Sequence, residues 1–199
     1  MDLSHPPSDP VASCQQWFQE ASSAEASPNP LAMGLSTVDA TGRPSSRMVL
    51  LKGFDADGAV FYTNLNSAKA KAIEANPVVA LLFHWDAQER QIRIVGRATP
   101  VTGDEADAYF ASRPRGSQIA AIASSQSSPL ESRQELADAA AAVADQFKDE
   151  DAIPRPSNWS GFRVALESVE FWQGGGDRLH HRILYEFNDG TWSWTYRWP

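Results

Sequence analysis

Short apolar runs rich in Val, Ile, Phe and Tyr recur along this chain, and most are bounded by Gly, Pro, Asn or Asp. That pattern is typical of β-strands joined by tight turns. It predicts strands at residues 33–38, 47–52, 59–63, 78–85, 91–99, 161–172, 182–187 and 191–197. Because turns separate most neighbours in this series, we expect successive strands to pair in antiparallel fashion.

Helical patterns are inserted between the strands and do not alternate with them. A helix at 10–21 would place Val11, Trp17 and Phe18 on one face, and Ser67 is a suitable N-cap for another helix. The predicted helices cover residues 10–21, 68–75, 103–112, 117–123 and 130–147. Strands joined by turns, with helices inserted among them, predict an α+β fold: an antiparallel barrel with helical excursions.

The composition predicts one globular domain. The chain has 199 residues, of which 42% are hydrophobic, and its seven Trp and nine Phe supply enough apolar surface for one core. No segment repeats along the chain. Residues 1–28 are expected to form a flexible N-terminal arm with the short helix, and residues 29–199 the folded domain.

Charge and cysteine content restrict the cellular setting and the partners. The formal charge of −8 disfavours nucleic acid, so any site for an anion must gather cations locally. The longest apolar run, 78–85, is too short to span a membrane, and the N-terminal residues lack the features of a secretory signal. With a single cysteine, Cys14, the chain is expected to be soluble and cytoplasmic.

Familiar catalytic motifs do not occur in the sequence. It contains no Gly-x-Ser-x-Gly elbow, no phosphate-binding Gly-x-x-x-x-Gly-Lys loop and no Gly-x-Gly-x-x-Gly turn. Of the four histidines, His180 and His181 are adjacent and would point to opposite faces of a strand. We therefore expect no metal site.

Several short segments instead combine cations with hydroxyl and amide groups. Arg47 and Lys52, five residues apart on one predicted strand, would face opposite sides and could serve two anions. The segment 109–117 contains a Tyr, two Arg and a Ser, a mixture that suits a phosphate monoester. Taken singly, each segment has an ordinary alternative: solvated surface arginines, a polar loop at 124–128, a core tryptophan at 172, or a charged hairpin at 178–182.

Together, these segments resemble the pyridoxine/pyridoxamine 5'-phosphate oxidase family from about residue 29 to the last residue. The blocks that carry the likeness occur in order along the chain. They are RMVLLK (47–52), FYTNL (61–65), ERQ (89–91), YFASRPRGSQI (109–119), SSQSS (124–128), FWQG (171–174) and RLHHR (178–182).

The resemblance implies an antiparallel split β-barrel with peripheral helices, acting as a homodimer with FMN at the subunit interface. It implies FMN-dependent oxidation of pyridoxamine or pyridoxine 5'-phosphate to pyridoxal 5'-phosphate, with O2 as acceptor and H2O2 as product. Carried over by position, the FMN contacts are Arg47, Met48, Val49, Leu50, Leu51, Lys52, Tyr62, Thr63, Lys69, Gln91, Gln126, Ser127, Trp172 and Arg182. The implied substrate contacts are Lys52, Tyr109, Arg113, Ser117, Arg178 and His180, and the last two are the implied catalytic residues.

The chain also departs from the family pattern. Ala68 stands where the family usually has an arginine near the FMN phosphate, and the N-terminal arm lacks a basic, Tyr-containing segment. His181 replaces a frequent Asp, and Trp198 precedes the final proline. Two other functions stay open: an FMN oxidase of a larger aromatic metabolite such as a phenazine precursor, and a non-catalytic carrier of flavin or pyridoxal phosphate.

Overall fold

Nine strands form one antiparallel sheet in the computed structural model, which describes residues 3–24 and 28–199. Along the sheet they follow the order β2-β1-β5-β6-β7-β4-β3, with β8 paired to β7 and β9 to β8. Their bounds are β1 Ala32–Val38, β2 Pro44–Leu50, β3 Gly53–Asp55, β4 Gly58–Asn64, β5 Val78–Trp85, β6 Arg90–Pro100, β7 Trp159–Gln173, β8 His181–Asn188 and β9 Thr191–Tyr196.

The sheet curves around a single main core. In β5, Val79, Leu81 and Phe83 are buried while the residues between them are not, as expected for a strand with one face inward. Leu35 from β1 and Phe61 from β4, which lie far apart in the strand order, belong to the same buried cluster. The predicted α+β class and antiparallel barrel are therefore confirmed, and the sheet is open between β2 and β3.

Five α-helices accompany the sheet within the described residues: α1 Val11–Ser23, α2 Ala68–Ala75, α3 Gly103–Ser112, α4 Arg115–Ala123 and α5 Arg133–Gln146. The hydroxyls of Ser67, Thr102 and Ser132 cap α2, α3 and α5. This cap explains why α5 begins at Arg133 and not at residue 130. None of these helices is long and apolar enough to cross a membrane.

Helix α1 packs against the sheet through Cys14, Trp17 and Phe18, all of which are buried in the main core. Ahead of the helix, Tyr185 donates a hydrogen bond to the carbonyl of Pro7 at 3.0 Å. Residues 1–2 and 25–27 of the predicted arm lie outside the described residues, and the domain boundary after residue 28 stays a prediction.

Strand β2 ends earlier than the sequence pattern predicts. It stops at Leu50, and the chain turns into the short strand β3, which the pattern does not show. Lys52 therefore lies in the connection, where its amide bonds the carbonyl of Val60 at 2.8 Å. The expectation that Arg47 and Lys52 face opposite sides of one strand is therefore wrong, because Lys52 lies outside β2.

Candidate functional site

A cavity of about 510 Å³ opens where β2, β4 and helices α2 to α5 meet. Polar and aromatic side chains from distant parts of the chain converge on it. Ten of the residues predicted from the resemblance line its wall: Met48, Val49, Leu50, Lys52, Tyr62, Thr63, Lys69, Tyr109, Arg113 and Gln126. Six lining residues are not singled out by the sequence: Asn64, Ala120, Ala121, Ser124, Leu136 and Trp159.

The ammonium group of Lys69 is held at this cavity by three neutral oxygens. Its Nζ lies 3.1 Å from Thr63 Oγ1, 3.3 Å from Ser67 Oγ and 2.5 Å from Gln126 Oε1. Burial lowers the pKa of Lys69, and the nearby Arg47 guanidinium lowers this pKa further. A half-buried cation without a carboxylate partner among the described residues is suited to an anionic ligand such as a phosphate.

Arg113 supplies a second cation to the same cavity. It is the C-cap residue of α3, and its guanidinium carbon lies 4.8 Å from the Trp159 ring centroid. Its Nη1 is buried and has no hydrogen-bond partner among the described residues, and burial lowers the pKa of Arg113. Lys52 lies close by, with Nζ 5.9 Å from the Tyr109 ring centroid. A buried donor left unpaired is costly, which indicates a missing acceptor at this point.

A buried amide holds the turn that presents Arg113. Gln118 of α4 donates from Nε2 to the carbonyls of Phe110 at 2.8 Å and Ala111 at 3.3 Å. These bonds tie the end of α3 to the start of α4 across the intervening turn. The sequence contains Gln118 within a family block but offers no sign of this supporting role.

Three aromatic rings lie in a stack beside the cations. The Tyr62 and Tyr109 rings are stacked with centroids 4.0 Å apart, and Tyr62 lies 5.3 Å from Trp159 at an interplanar angle of 5°. Trp159 is placed there by pairing with Asn64 across β4 and β7. Aromatic side chains that line a cavity together with cations suit a ligand that has both a ring and a negative charge.

Alkaline pH should destabilise the protein through one buried and one partly buried tyrosine. Burial raises the pKa of both Tyr62 and Tyr185 to about 12. Between about pH 10 and 12 the unfolded state loses protons that the folded state keeps, so the free energy of unfolding falls as pH rises. Denaturant titrations of Tyr62→Phe and Tyr185→Phe across this range should each show a shallower decline than the wild type. If both variants lose stability as steeply as the wild type, the raised pKa values of Tyr62 and Tyr185 are not the cause of the decline.

A second group of predicted residues lies in one row across three other strands. Gln91 of β6 pairs with Trp172 of β7, which pairs with Arg182 of β8, so all three share one face of the sheet. The His180 ring lies against the Trp172 ring, with centroids 4.7 Å apart and an interplanar angle of 42°, and its Nδ1 accepts a hydrogen bond from the Gly175 amide at 3.3 Å.

Arg178 occupies a strained turn next to this row. It has φ 65°, and the preceding Asp177 has φ 53°, so two successive non-glycine residues adopt left-handed backbone. Such strain is frequent at functional sites.

We call Gln91, Trp172, Arg178, His180 and Arg182 the row group, and the ten predicted cavity residues the cavity group. No cluster of three or more metal-ligating side chains occurs in the described ranges.

Within one chain the two groups are far apart. Trp159 and Trp172 lie at opposite ends of β7, thirteen residues apart, which is roughly 40 Å for an extended strand. Met48, at the edge of the cavity, lies four strands from β7, or roughly 20 Å when measured along the curved sheet. A single chain therefore cannot bring both groups to one small ligand.

The other predicted residues do not line the cavity. Arg47 donates from Nη1 to Leu35 O at 3.0 Å and Thr37 Oγ1 at 2.9 Å, although its charge acts on Lys69. Leu51 is buried in the main core. Ser117 lies in the first turn of α4, and Ser127 lies in an exposed loop with φ 73°. Their roles in binding stay predictions.

Two family models together match most of the chain. Residues 20–147 match the model described as pyridoxamine 5'-phosphate oxidase. Residues 159–199 match the model described as the pyridoxine 5'-phosphate oxidase C-terminal dimerisation region. The first match contains the cavity group, and the second contains the row group except Gln91.

Curated relatives agree with these models. A protein of Rubrobacter xylanophilus named pyridoxine/pyridoxamine 5'-phosphate oxidase is 50% identical, over 92% of this chain and 84% of that protein. A protein of Sphingopyxis alaskensis with the same name is 51% identical, over 96% of this chain and 88% of that protein.

Solved structures show the same architecture. PhzG from Burkholderia lata 383, crystallised with tetrahydrophenazine-1-carboxylic acid, is 31% identical with a TM-score of 0.93, over 100% of this chain and 96% of that one. An FMN-binding protein of Nostoc punctiforme has a TM-score of 0.77 at 18% identity, over 98% and 100% of the two chains, which shows the shared fold alone. With both family models and relatives at about 50% identity in agreement, this chain belongs to the pyridoxine/pyridoxamine 5'-phosphate oxidase family.

Proposed function

We propose that this protein is a cytoplasmic, FMN-dependent oxidase that converts pyridoxamine or pyridoxine 5'-phosphate to pyridoxal 5'-phosphate. One observation carries the proposal: a single cavity combines stacked aromatic rings with two cations, Lys69 and Arg113, that lack carboxylate partners among the described residues of an acidic chain. Cofactor and substrate each carry a phosphate, so a site that binds both needs more than one cationic group.

The residues present fit FMN and a phosphorylated substrate. Lys69, with Thr63 and Gln126 beside it, would bind the FMN phosphate, because its ammonium has neutral partners alone within the described part of the chain. Arg113 and Lys52, which line the cavity together with Tyr109, would bind the substrate phosphate. When bound, FMN supplies the hydride acceptor, and O2 takes the electrons from it to give H2O2. The chain itself needs to bind FMN and the substrate, to orient them and to exclude water.

A homodimer with FMN at the interface reconciles the two distant groups. Exposed apolar side chains, Met48, Leu82 and Val95, lie on the same sheet face as the row group, and Met48 also lines the cavity. A twofold axis through this face would place the row group of each subunit at the cavity of its partner. Arg178 and His180 would then flank the reacting carbon of a substrate held by the other subunit. The apolar residues would become buried in the dimer.

Ala68→Arg should tighten FMN binding. Ala68 is the exposed first residue of α2, next to Lys69, and an arginine there would add a charge-assisted contact to the phosphate. Such a contact contributes about 1.5–3 kcal/mol, or roughly a ten- to hundredfold lower Kd. Titration of apo-protein with FMN checks this. Lys71→Arg, on the same helix, is the control and should leave the Kd unchanged; an unchanged Kd in Ala68→Arg would contradict the prediction.

Peroxide release by FMN-loaded protein tests the proposed function. We expect H2O2 and pyridoxal 5'-phosphate to form in equal amounts when pyridoxine or pyridoxamine 5'-phosphate is added. Oxidation of a reduced phenazine precursor, with no reaction of either B6 phosphate, would instead favour the activity suggested by the similarity to PhzG. FMN or pyridoxal phosphate binding without any oxidation would favour a carrier.

A further inference from the structure

A buried carboxylate lies beside the row group and has no role in the site described so far. Glu170 of β7 is only 8% exposed, two residues before Trp172 on the same strand. It pairs with Arg93 of β6 and, because strand faces alternate every two residues, shares the face that carries Trp172. The sequence marks Glu170 only as one of several acidic residues.

Glu170 holds the side chain of Arg182 from one side. Its Oε1 accepts a hydrogen bond from Arg182 Nε at 2.8 Å, and the carbonyl of Trp198 accepts one from Arg182 Nη1 at 2.8 Å. The Arg182 guanidinium is thereby anchored at two points in its plane. Within residues 3–24 and 28–199 its Nη2 has no hydrogen-bond partner, so that edge is available to a ligand.

The second oxygen of Glu170 holds another arginine. Arg93 Nη1 lies 3.3 Å from Glu170 Oε2, so one carboxylate bridges two guanidiniums. The side chain of Glu170 is 10% exposed, whereas those of Arg182 and Arg93 are 26% and 55% exposed. Without this negative charge the two cations would repel each other, and the Arg182 plane would lose its anchor at Nε.

We propose that Glu170 is a positioning residue that fixes the plane of Arg182 and so directs its free edge toward the flavin bound by the partner subunit. The inference rests on the proposed function, in which Arg182 contacts FMN. In this proposal Glu170 itself contacts neither the flavin nor the substrate. The effect of Glu170 on FMN must therefore pass through Arg182.

Glu170→Gln is the first test, with Glu167→Gln as matched control. The amide keeps the shape of the side chain but offers one acceptor oxygen, so it cannot bridge both arginines. Glu167 also lies on β7 and also faces an arginine of β6, at 4.0 Å from Arg97, but its pair is exposed. We expect the Kd for FMN to rise about tenfold in Glu170→Gln, within the range known for side chains in one ion-pair network, and to stay unchanged in Glu167→Gln.

A double-mutant cycle separates positioning from general structural support. In an Arg182→Ala background, Glu170→Gln should add less than about twofold to the Kd, because the group through which it acts is gone. The visible circular dichroism of bound FMN should shift in Glu170→Gln and not in Glu167→Gln. If Glu170→Gln does not fold, Glu170→Asp replaces it, because it keeps the charge on a shorter side chain. Glu170→Asp should raise the Kd for FMN several-fold in the wild-type background and should have little effect in the Arg182→Ala background.

The outcomes distinguish this inference from the proposed function. A raised Kd in Arg182→Ala with an unchanged Kd in Glu170→Gln would overturn the positioning role alone. Additive effects of the two substitutions would overturn it as well, because Glu170 would then act by another route. An unchanged Kd in Arg182→Ala would instead remove the proposed FMN contact of Arg182 itself.

Discussion

Arg113→Met is expected to lower kcat/KM for pyridoxine 5'-phosphate about a hundredfold, without loss of folding stability. Loss of the charged partner of a bound phosphate typically costs 2–5 kcal/mol, and about 3 kcal/mol corresponds to a hundredfold. In the free protein the guanidinium has a buried donor without an acceptor among the described residues, so its removal relieves a cost. The melting temperature should therefore stay the same or rise.

Steady-state peroxide assays and thermal unfolding of the FMN-loaded protein measure both effects. Arg115→Met is the matched control, since Arg115 lies two residues away and donates to backbone carbonyls, Phe147 O and, at 3.1 Å, Glu150 O. We expect Arg115→Met to leave KM unchanged and to affect stability only. A variant Arg113→Met with normal kcat/KM, or with a large loss of stability, would show that Arg113 is a structural residue.

Two inactive variants are expected to restore activity when they are combined in one dimer. Arg113→Met damages the cavity group, and the double variant Arg178→Ala/Arg182→Ala damages the row group. In a mixed dimer, one site contains both defects and the other contains neither. Random exchange of subunits gives about half mixed dimers with one intact site each, so the mixture should recover about a quarter of the wild-type activity.

The experiment requires unfolding and refolding the two variants together and then assaying peroxide release. Mixing Arg113→Met with Lys69→Met is the control, because both substitutions lie in the cavity group and every mixed dimer has two damaged sites. We expect no recovery there. Failure of the first mixture to recover, although mixed dimers form, would contradict a site shared between subunits and place both groups in one chain.

Local chemistry explains which elements are predictable from the sequence. The predicted bounds of β5 and α2 agree with the structure, because β5 is an apolar, β-rich run between Pro77 and a polar turn, and α2 has a capping serine before it and Asn76-Pro77 after it. The three-residue strand β3 is absent from the prediction, since three residues carry no periodicity and their pairing depends on β4. The early end of β2 depends on the same pairing.

The site residues also divide into those that the sequence predicts and those that depend on strand pairing. The family resemblance identifies Lys69 and Arg113 as candidates, because several blocks occur in order along the chain, although each block taken singly has an ordinary alternative. Trp159 and Glu170 are not identifiable in this way: Trp159 reaches the cavity through the pairing of β4 with β7, and Glu170 reaches Arg182 through the register of β7 with β8.

The antiparallel α+β class, the positions of most strands and helices, and the family can all be predicted from the amino-acid sequence, because turn residues, caps, apolar runs and ordered blocks act over a few neighbouring residues. The separation of the candidate residues into a cavity group and a row group that one chain cannot join is visible in the folded chain alone. That result depends on which strands are neighbours and in what register. Such pairings form between residues distant in sequence, and no local pattern encodes them.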